Sequence, residues 1–372
     1  MPFDHAPISR RKTLGLLASA SAAPMFPAAV KALENQNLPT ITNGINIPLW
    51  MDQPDGSASP PSGSVLSLLK QFGFDTVRLP VDPDRFAGST TQILNASRDL
   101  TAVLNTLIGF DFSVTVDMHP QGAISQALKR DSLGDDALNT AWQNISNVTA
   151  GFSNQSVFLE LLNEPQMWRD RWLPLRDRLA ETVRRNCPEH TIIWGANKWQ
   201  SIQETITCPL LPDENAIVAV HYYLPMPFTH QCANWGEEQN SLLKNLPFPA
   251  TLNSPQIGSV LSQIEGNALN QFMDDFGQGW SVKKIADDFA QLKNWSDAQG
   301  TKTILNEFAS LKFCSDSPSR AIWTRAVRQA AETNNIGWAY WEFDRGFGFM
   351  GSRTSLADIE LDLVAALVGG AL

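Results

Sequence analysis

Eight short apolar runs, each separated from the next by a segment of helical period, constrain this chain more than any other feature. The runs cover residues 41–47, 74–81, 111–118, 156–162, 191–195, 216–220, 302–306 and 336–341. Most are apolar without alternation, as expected of parallel strands buried on both faces. Between them, apolar residues recur every three or four positions over 64–72, 93–108, 136–150, 169–185, 281–298, 320–333 and 356–368, the spacing of one helical face. A short helix is expected after Trp199. Eight strands alternating with helices predict an α/β fold, a closed (β/α)8 TIM barrel rather than an open sheet. One break interrupts the rhythm: residues 224–280 are rich in Asn, Gln and Pro with only scattered apolar positions. A long insertion after the sixth strand, functional or mobile, is the expectation there. No internal repeat or interdomain linker is visible, and residues 35–372 read as one catalytic domain.

Barrels of this kind carry their chemistry at the carboxyl ends of the strands. Reading those ends gives Arg78, His119, Asn163, Glu164, Asn197, His221, Tyr223, Glu307 and Trp341. Two of them end similar apolar runs far apart in the chain: Glu164 after Leu161-Leu162-Asn163, and Glu307 after Ile304-Leu305-Asn306. Facing each other across a bound substrate, two carboxyl groups are what glycoside hydrolysis needs, one as acid and one as nucleophile or base. Arg78 beside one of them would hold it ionised, and that charge would keep the other protonated. Singly, each residue has a plain structural alternative. Asn163-Glu164-Pro165 can open a helix, Arg78 can close an ion pair, and Trp341 on an apolar strand can be core.

Taken in order on the expected strands, Arg78, His119, Asn163-Glu164-Pro165, His221-x-Tyr223, Glu307 and Trp341 resemble the signature of the family 5 glycoside hydrolases, a large cellulase family of retaining barrel enzymes. The resemblance runs from about Gly44 to the last helix. It implies that Glu164 is the acid/base and Glu307 the nucleophile. Asn163 would hold the substrate 2-hydroxyl, Tyr223 and Arg78 would position and ionise Glu307, His119 and His221 would line the site, and Trp341 would stack under the sugar. Asn306 departs from the small residue often found before the nucleophile, and the insertion is longer than in a minimal member. The implied activity is retaining hydrolysis of a β-glucan, first an endo-β-1,4-glucanase, with β-mannan and β-1,3-glucan as alternatives. No metal or cofactor is required. A metal-dependent hydrolase on the same fold would have His119 and His221 but no His-x-His pair, and a non-catalytic carbohydrate-binding barrel would not need both glutamates.

A net charge of −10 argues against nucleic acid or an anionic membrane as partner, and no apolar run after the N-terminus is long enough to span a bilayer. A monomer acting on a neutral poly- or oligosaccharide is expected. Twelve tryptophans against three tyrosines fit sugar stacking; Trp50, Trp168, Trp199, Trp235 and Trp280 fall in loops at the strand ends and are candidate platforms. Residues 1–34 read as a leader: Arg10-Arg11 precede a short apolar run and an Ala/Pro-rich stretch, resembling a twin-arginine export signal, with Thr13 where Phe is usual. Cleavage is expected between Ala20 and Glu34, giving a periplasmic or secreted protein. Four cysteines in an oxidising compartment allow three pairings. Cys187 and Cys208 fall at the bottom of the expected barrel and Cys232 and Cys314 at the top, so Cys187–Cys208 and Cys232–Cys314 are expected.

Overall fold

The computed structural model describes residues 41–130, 132–236, 238–277 and 280–369. The leader assigned to residues 1–34 lies outside them. Eight parallel strands close into a barrel in chain order: β1 (Asn43–Asn46), β2 (Thr76–Val81), β3 (Ser113–Met118), β4 (Val157–Glu160), β5 (Ile192–Gly195), β6 (Ala216–His221), β7 (Lys302–Glu307) and β8 (Gly337–Tyr340). Each pairs in parallel with the next, and β8 closes on β1 through Ala339 opposite Gly44. Around them run α1 (Gly63–Gln71), α2 (Thr90–Gly109), α3 (Ala123–Leu128), α4 (Leu133–Thr149), α5 (Arg169–Asn186), α6 (Ile202–Thr205), α7 (Met226–Thr229), α8 (Pro255–Leu261), α9 (Gly266–Gly277), α10 (Val282–Gln299), α11 (Ser317–Thr333) and α12 (Leu361–Val368).

Burial explains the unbroken apolar strands. Helices cover the outer face, and inside the barrel Ile41, Phe158, Ile193, Ile217, Ala219 and Ile304 form a small apolar plug of their own. One close approach is written into the sequence: a Cβ on Gly337 would stand 1.6 Å from the Ile41 carbonyl oxygen, so only glycine starts β8 there. The helix ends follow local chemistry. Ser89 and Gln92 form a capping box on α2, Ser281 caps α10, and α10 stops at Gly300 in the left-handed conformation.

Three features differ from expectation. The segment between β3 and α4 contains α3, held at its start by Asp84, whose carboxylate accepts the backbone N–H groups of Ala123 and Ile124. The insertion after β6 is folded: α7, α8, α9 and a 3-10 turn (Glu238–Leu242) bring Phe228, Leu246, Phe248, Ile257 and Phe272 into the main core. Its apolar residues are scattered in sequence because they come from several short elements that share one centre. The cysteines divide unequally. Cys232–Cys314 is formed and ties the insertion to the loop after β7. Cys187 and Cys208 are not paired, contrary to expectation. The Cys187 thiol is taken up by α4 instead, donating to the Ser146 carbonyl at 3.3 Å and lying 3.4 Å from Thr149 Oγ1. Among the described residues no helix is long and apolar enough to cross a membrane.

Candidate active site

Arg78 is the hub of the strand ends. Lodged in β2 and almost wholly buried, it must spend every donor on a partner. Its Nε and Nη2 donate to Glu160 at 2.7 and 2.9 Å, Nη1 to Asn46 Oδ1 at 3.0 Å and Glu307 Oε1 at 2.6 Å, and Nη2 to Asn163 Oδ1 at 2.9 Å. Asp117 lies 3.0 Å from Nη2. One cation therefore serves three carboxylates. Arg78 does reach Glu307, yet its charge is shared, and burial pushes the Glu307 carboxyl above the usual range against the pull of His221 and Arg78. Arg78 alone does not set the protonation of this glutamate.

The second partner of Glu307 is Tyr223, whose hydroxyl donates to Oε2 at 2.9 Å. Burial and the neighbouring carboxylate push the phenol far above its ordinary value, so it stays a donor. His221, at the end of β6, joins the two glutamates: its Nδ1 lies 2.9 Å from Glu164 Oε1 and 3.4 Å from Glu307 Oε2. Burial lowers this imidazole to about 4, leaving it neutral with one N–H to give. Glu164 keeps a quarter of its side chain open to solvent, and burial of the rest still raises it to about 7, against His119 and Arg78. Its backbone is in the left-handed region, φ 43°, which costs a non-glycine residue roughly 1–2 kcal/mol.

On the other side, burial acts to lower His119, but the Asp117 carboxylate 2.8 Å from its Nδ1 outweighs this and lifts it to about 8. Its ring stacks on Trp341, centroids 5.5 Å apart and planes 9° from parallel. Asn163 is pinned by its own N–H to the Met118 carbonyl and by Arg78. All eight residues assigned to catalysis or substrate binding thus fall in one connected cluster. Asn197 is buried, its Oδ1 unpartnered among the described residues. A cavity of about 610 Å³ opens beside the cluster, lined by His119, Asn163, Glu164 and Trp168 among others. Oxygens of Glu164 and Glu307 and Nδ1 of His221 lie within 4.8 Å of one another, a donor set that would also suit a cation.

A family model described as Cellulase (glycosyl hydrolase family 5) matches residues 33–346. The chain belongs to glycosyl hydrolase family 5. Its similarity to individual members is distant. Endoglucanase 3 of Fibrobacter succinogenes is 24% identical over 343 residues, which are 85% of this chain and 51% of the relative. Cellodextrinase A of Ruminococcus flavefaciens is 24% identical over 211 residues, 52% of this chain and 62% of that one. The chain thus spans about half to three fifths of the length of these relatives. Among solved structures, Thermotoga maritima Cel5A in complex with cellobiose superposes with a TM-score of 0.72 at 23% identity over 88% of this chain and 97% of that one. The same protein with mannotriose gives 0.71 at 23% identity over the same shares of the two chains. These likenesses show the fold.

Within this family 5 member, reading strand ends alone misses the residues beneath them. Glu160 and Asp117 lie inside β4 and β3 and balance Arg78; a charged residue within a fully buried strand was their signal. Asn46 fixes the network to β7 and β8 by donating to the carbonyls of Asn306 and Tyr340. Asn306, the departure from the usual small residue, donates to Glu160 Oε1 at 2.7 Å. Of the five tryptophans expected as platforms, Trp50 and Trp280 are core; Trp280 stacks on Phe276 and donates to the Pro247 carbonyl. Trp168, Trp199 and Trp235 are exposed.

Proposed function

We propose that this protein is a retaining glycoside hydrolase that cleaves β-linked glucan internally, with β-1,4-glucan as first substrate. The observation that carries the reading is the pair Glu164 and Glu307, joined through one neutral histidine, with oxygens within 4.8 Å of each other. That spacing supports direct attack; an inverting pair stands about 6.5–9.5 Å apart to admit water. Glu307, held by Arg78 and Tyr223, attacks the anomeric carbon. Glu164, neutral below about 7, protonates the leaving oxygen. His221 Nδ1 engages Oε1 of this carboxyl at 2.9 Å and so orients it. The glycosyl–enzyme is then released by water that Glu164, now ionised, deprotonates. Trp341, braced by His119, supplies the flat face for the sugar at the cleavage point.

Cellulase-type names among the relatives support the glucan assignment, and the mannotriose complex of a structural neighbour keeps β-mannan as the second reading. A monomer is proposed with it. Export through the twin-arginine-type leader is proposed with it, supported by the Cys232–Cys314 disulfide, a bond that lasts in oxidising compartments. The test is reducing-sugar release from carboxymethyl-cellulose, barley β-glucan, mannan and linear β-1,3-glucan, with Glu164→Gln as control. Release from a β-1,4-linked glucan that vanishes in the control is expected. Binding without cleavage of any of the four would overturn the enzymatic reading.

A further inference from the structure

Immediately after β5 the backbone does something costly. Lys198, Trp199 and Gln200 follow one another in the left-handed region, φ 55°, 58° and 54°, and none is glycine. A left-handed turn of ordinary residues persists only where its surroundings hold it. Here the apex, Trp199, faces solvent, while Gln200 is wholly buried and turned inward. Its side chain lies over Gly195, where a Cβ would stand 2.2 Å from both Cγ and Nε2 of Gln200; the glycine is there for space.

From that notch Gln200 reaches two neighbouring strand ends. Its Oε1 accepts the backbone N–H of Glu164 at 2.8 Å, and its carbonyl accepts the backbone N–H of His221 at 3.0 Å. Glu164 is itself left-handed, so the Gln200 amide secures the N–H of a residue whose backbone would otherwise relax. His221 is the histidine whose Nδ1 meets the Glu164 carboxyl. One side chain and one carbonyl therefore fix both ends of the Glu164–His221 hydrogen bond.

We infer that Gln200 is a positioning residue for proton donation: through the Glu164 amide and the His221 backbone it sets where the Glu164 carboxyl meets the leaving oxygen. The inference rests on Glu164 being the acid. It predicts a loss that depends on how much the leaving group needs a proton, which a general loosening of the barrel would not produce.

The experiment compares kcat/KM on cellotetraose, whose sugar leaving group needs protonation, with that on 2,4-dinitrophenyl β-cellobioside, whose leaving group does not. Gln200→Met keeps the length and removes the acceptor. It is expected to lower kcat/KM on cellotetraose by about 10- to 100-fold, to stay within about 3-fold of the parent on the dinitrophenyl glycoside, and to shift the alkaline limb of the cellotetraose profile. Gly195→Ala, which displaces the Gln200 side chain while leaving it in the chain, is expected to show the same split and serves if Gln200→Met does not fold. Equal losses on both substrates, no loss on either, or failure of both variants to fold would overturn the proposal. Glu164→Ala separates it from the reading beneath: a split there without one in the Gln200 variants sinks only the positioning role. Equal loss in Glu164→Ala sinks the acid assignment itself.

Discussion

At the scale of single residues the site is a problem of too few positive charges. Arg78 faces Asp117, Glu160 and Glu307, and His119, raised by Asp117, adds a second cation beside them. Removing Arg78 as Arg78→Met would leave buried carboxylates uncompensated, at about 3–5 kcal/mol. A clear fall in melting temperature is expected, and an unchanged melting curve would contradict the hub role. Glu307→Gln keeps the size but removes the nucleophile, and leaves one acceptor oxygen where Arg78 and Tyr223 now meet two; turnover should fall by about 10³-fold or more with oligosaccharide binding retained in calorimetry. The acid has its own signature. Glu164 is raised to about 7 by burial, so it carries its proton below that pH and loses it above. Activity on natural glycans should therefore decline as pH rises through about 7, and a dinitrophenyl glycoside should not show that limb. The strand-end residues were legible in the sequence because barrels place chemistry there. Glu160, Asp117 and Gln200 were not, because their roles depend on which neighbours they touch, and residues like Glu160 and Arg78, 82 positions apart, meet only after the barrel closes.

At the scale of elements, every expected strand exists, with ends moved by a few residues. The fourth is the instructive case: it was expected over 156–162 but the regular strand ends at Glu160, and beyond it only single backbone bonds, Leu161 N–H to the Ile193 carbonyl and Asn163 N–H to the Met118 carbonyl, hold the chain as it turns to present Asn163 and Glu164. Short helices such as α3 escaped notice because six residues show too little periodicity, and its anchors, Asp82 and Asp84, lie some 40 residues upstream. The insertion was legible in its place but not in its internal fold, because it has no single apolar face; its core is assembled from short pieces. The disulfide is a covalent fastening there that does not depend on such packing. Closing a separation of 82 residues, it should contribute up to about 4 kcal/mol through the unfolded chain. The pair Cys232→Ser and Cys314→Ser is thus expected to lower the melting temperature. Because Thr229, in the same insertion, accepts the Leu311 N–H and donates to the Tyr223 carbonyl, activity should fall as well. Loss of stability without any change in kcat/KM would limit the bond to a structural role.

At the scale of the whole molecule, the buried groups act together on stability. Burial raises Asp82 to about 6, Glu164 to about 7 and Glu342 to about 8, the last with help from Asp344. His119, lowered by burial but raised more strongly by Asp117, comes to about 8. Each of these folded-state values lies above the unfolded one, so each contribution is complete below the unfolded value and is lost as pH rises through the folded value. His221 and His230 behave oppositely. Burial lowers both to about 4, so their contribution is complete above about 6.5 and is lost as pH falls through about 4. Between about 4.5 and 6 three carboxyl groups lose stability as pH rises while two histidines gain it, so stability should decline only gently. Above about 6.5 the two histidines are neutral in both states, and Glu164, Glu342 and His119 are left to lose their contributions up to about 8. A chain already at −10 gains further negative charge over the same interval, which adds self-repulsion. The melting temperature should accordingly decline gently between about pH 4.5 and 6.5 and more steeply between about pH 6.5 and 8. Glu342→Gln removes one of the groups responsible without touching Glu164 or Glu307, so its melting curve should decline less steeply there. An equally steep decline would show that Glu342 is not held neutral by its surroundings.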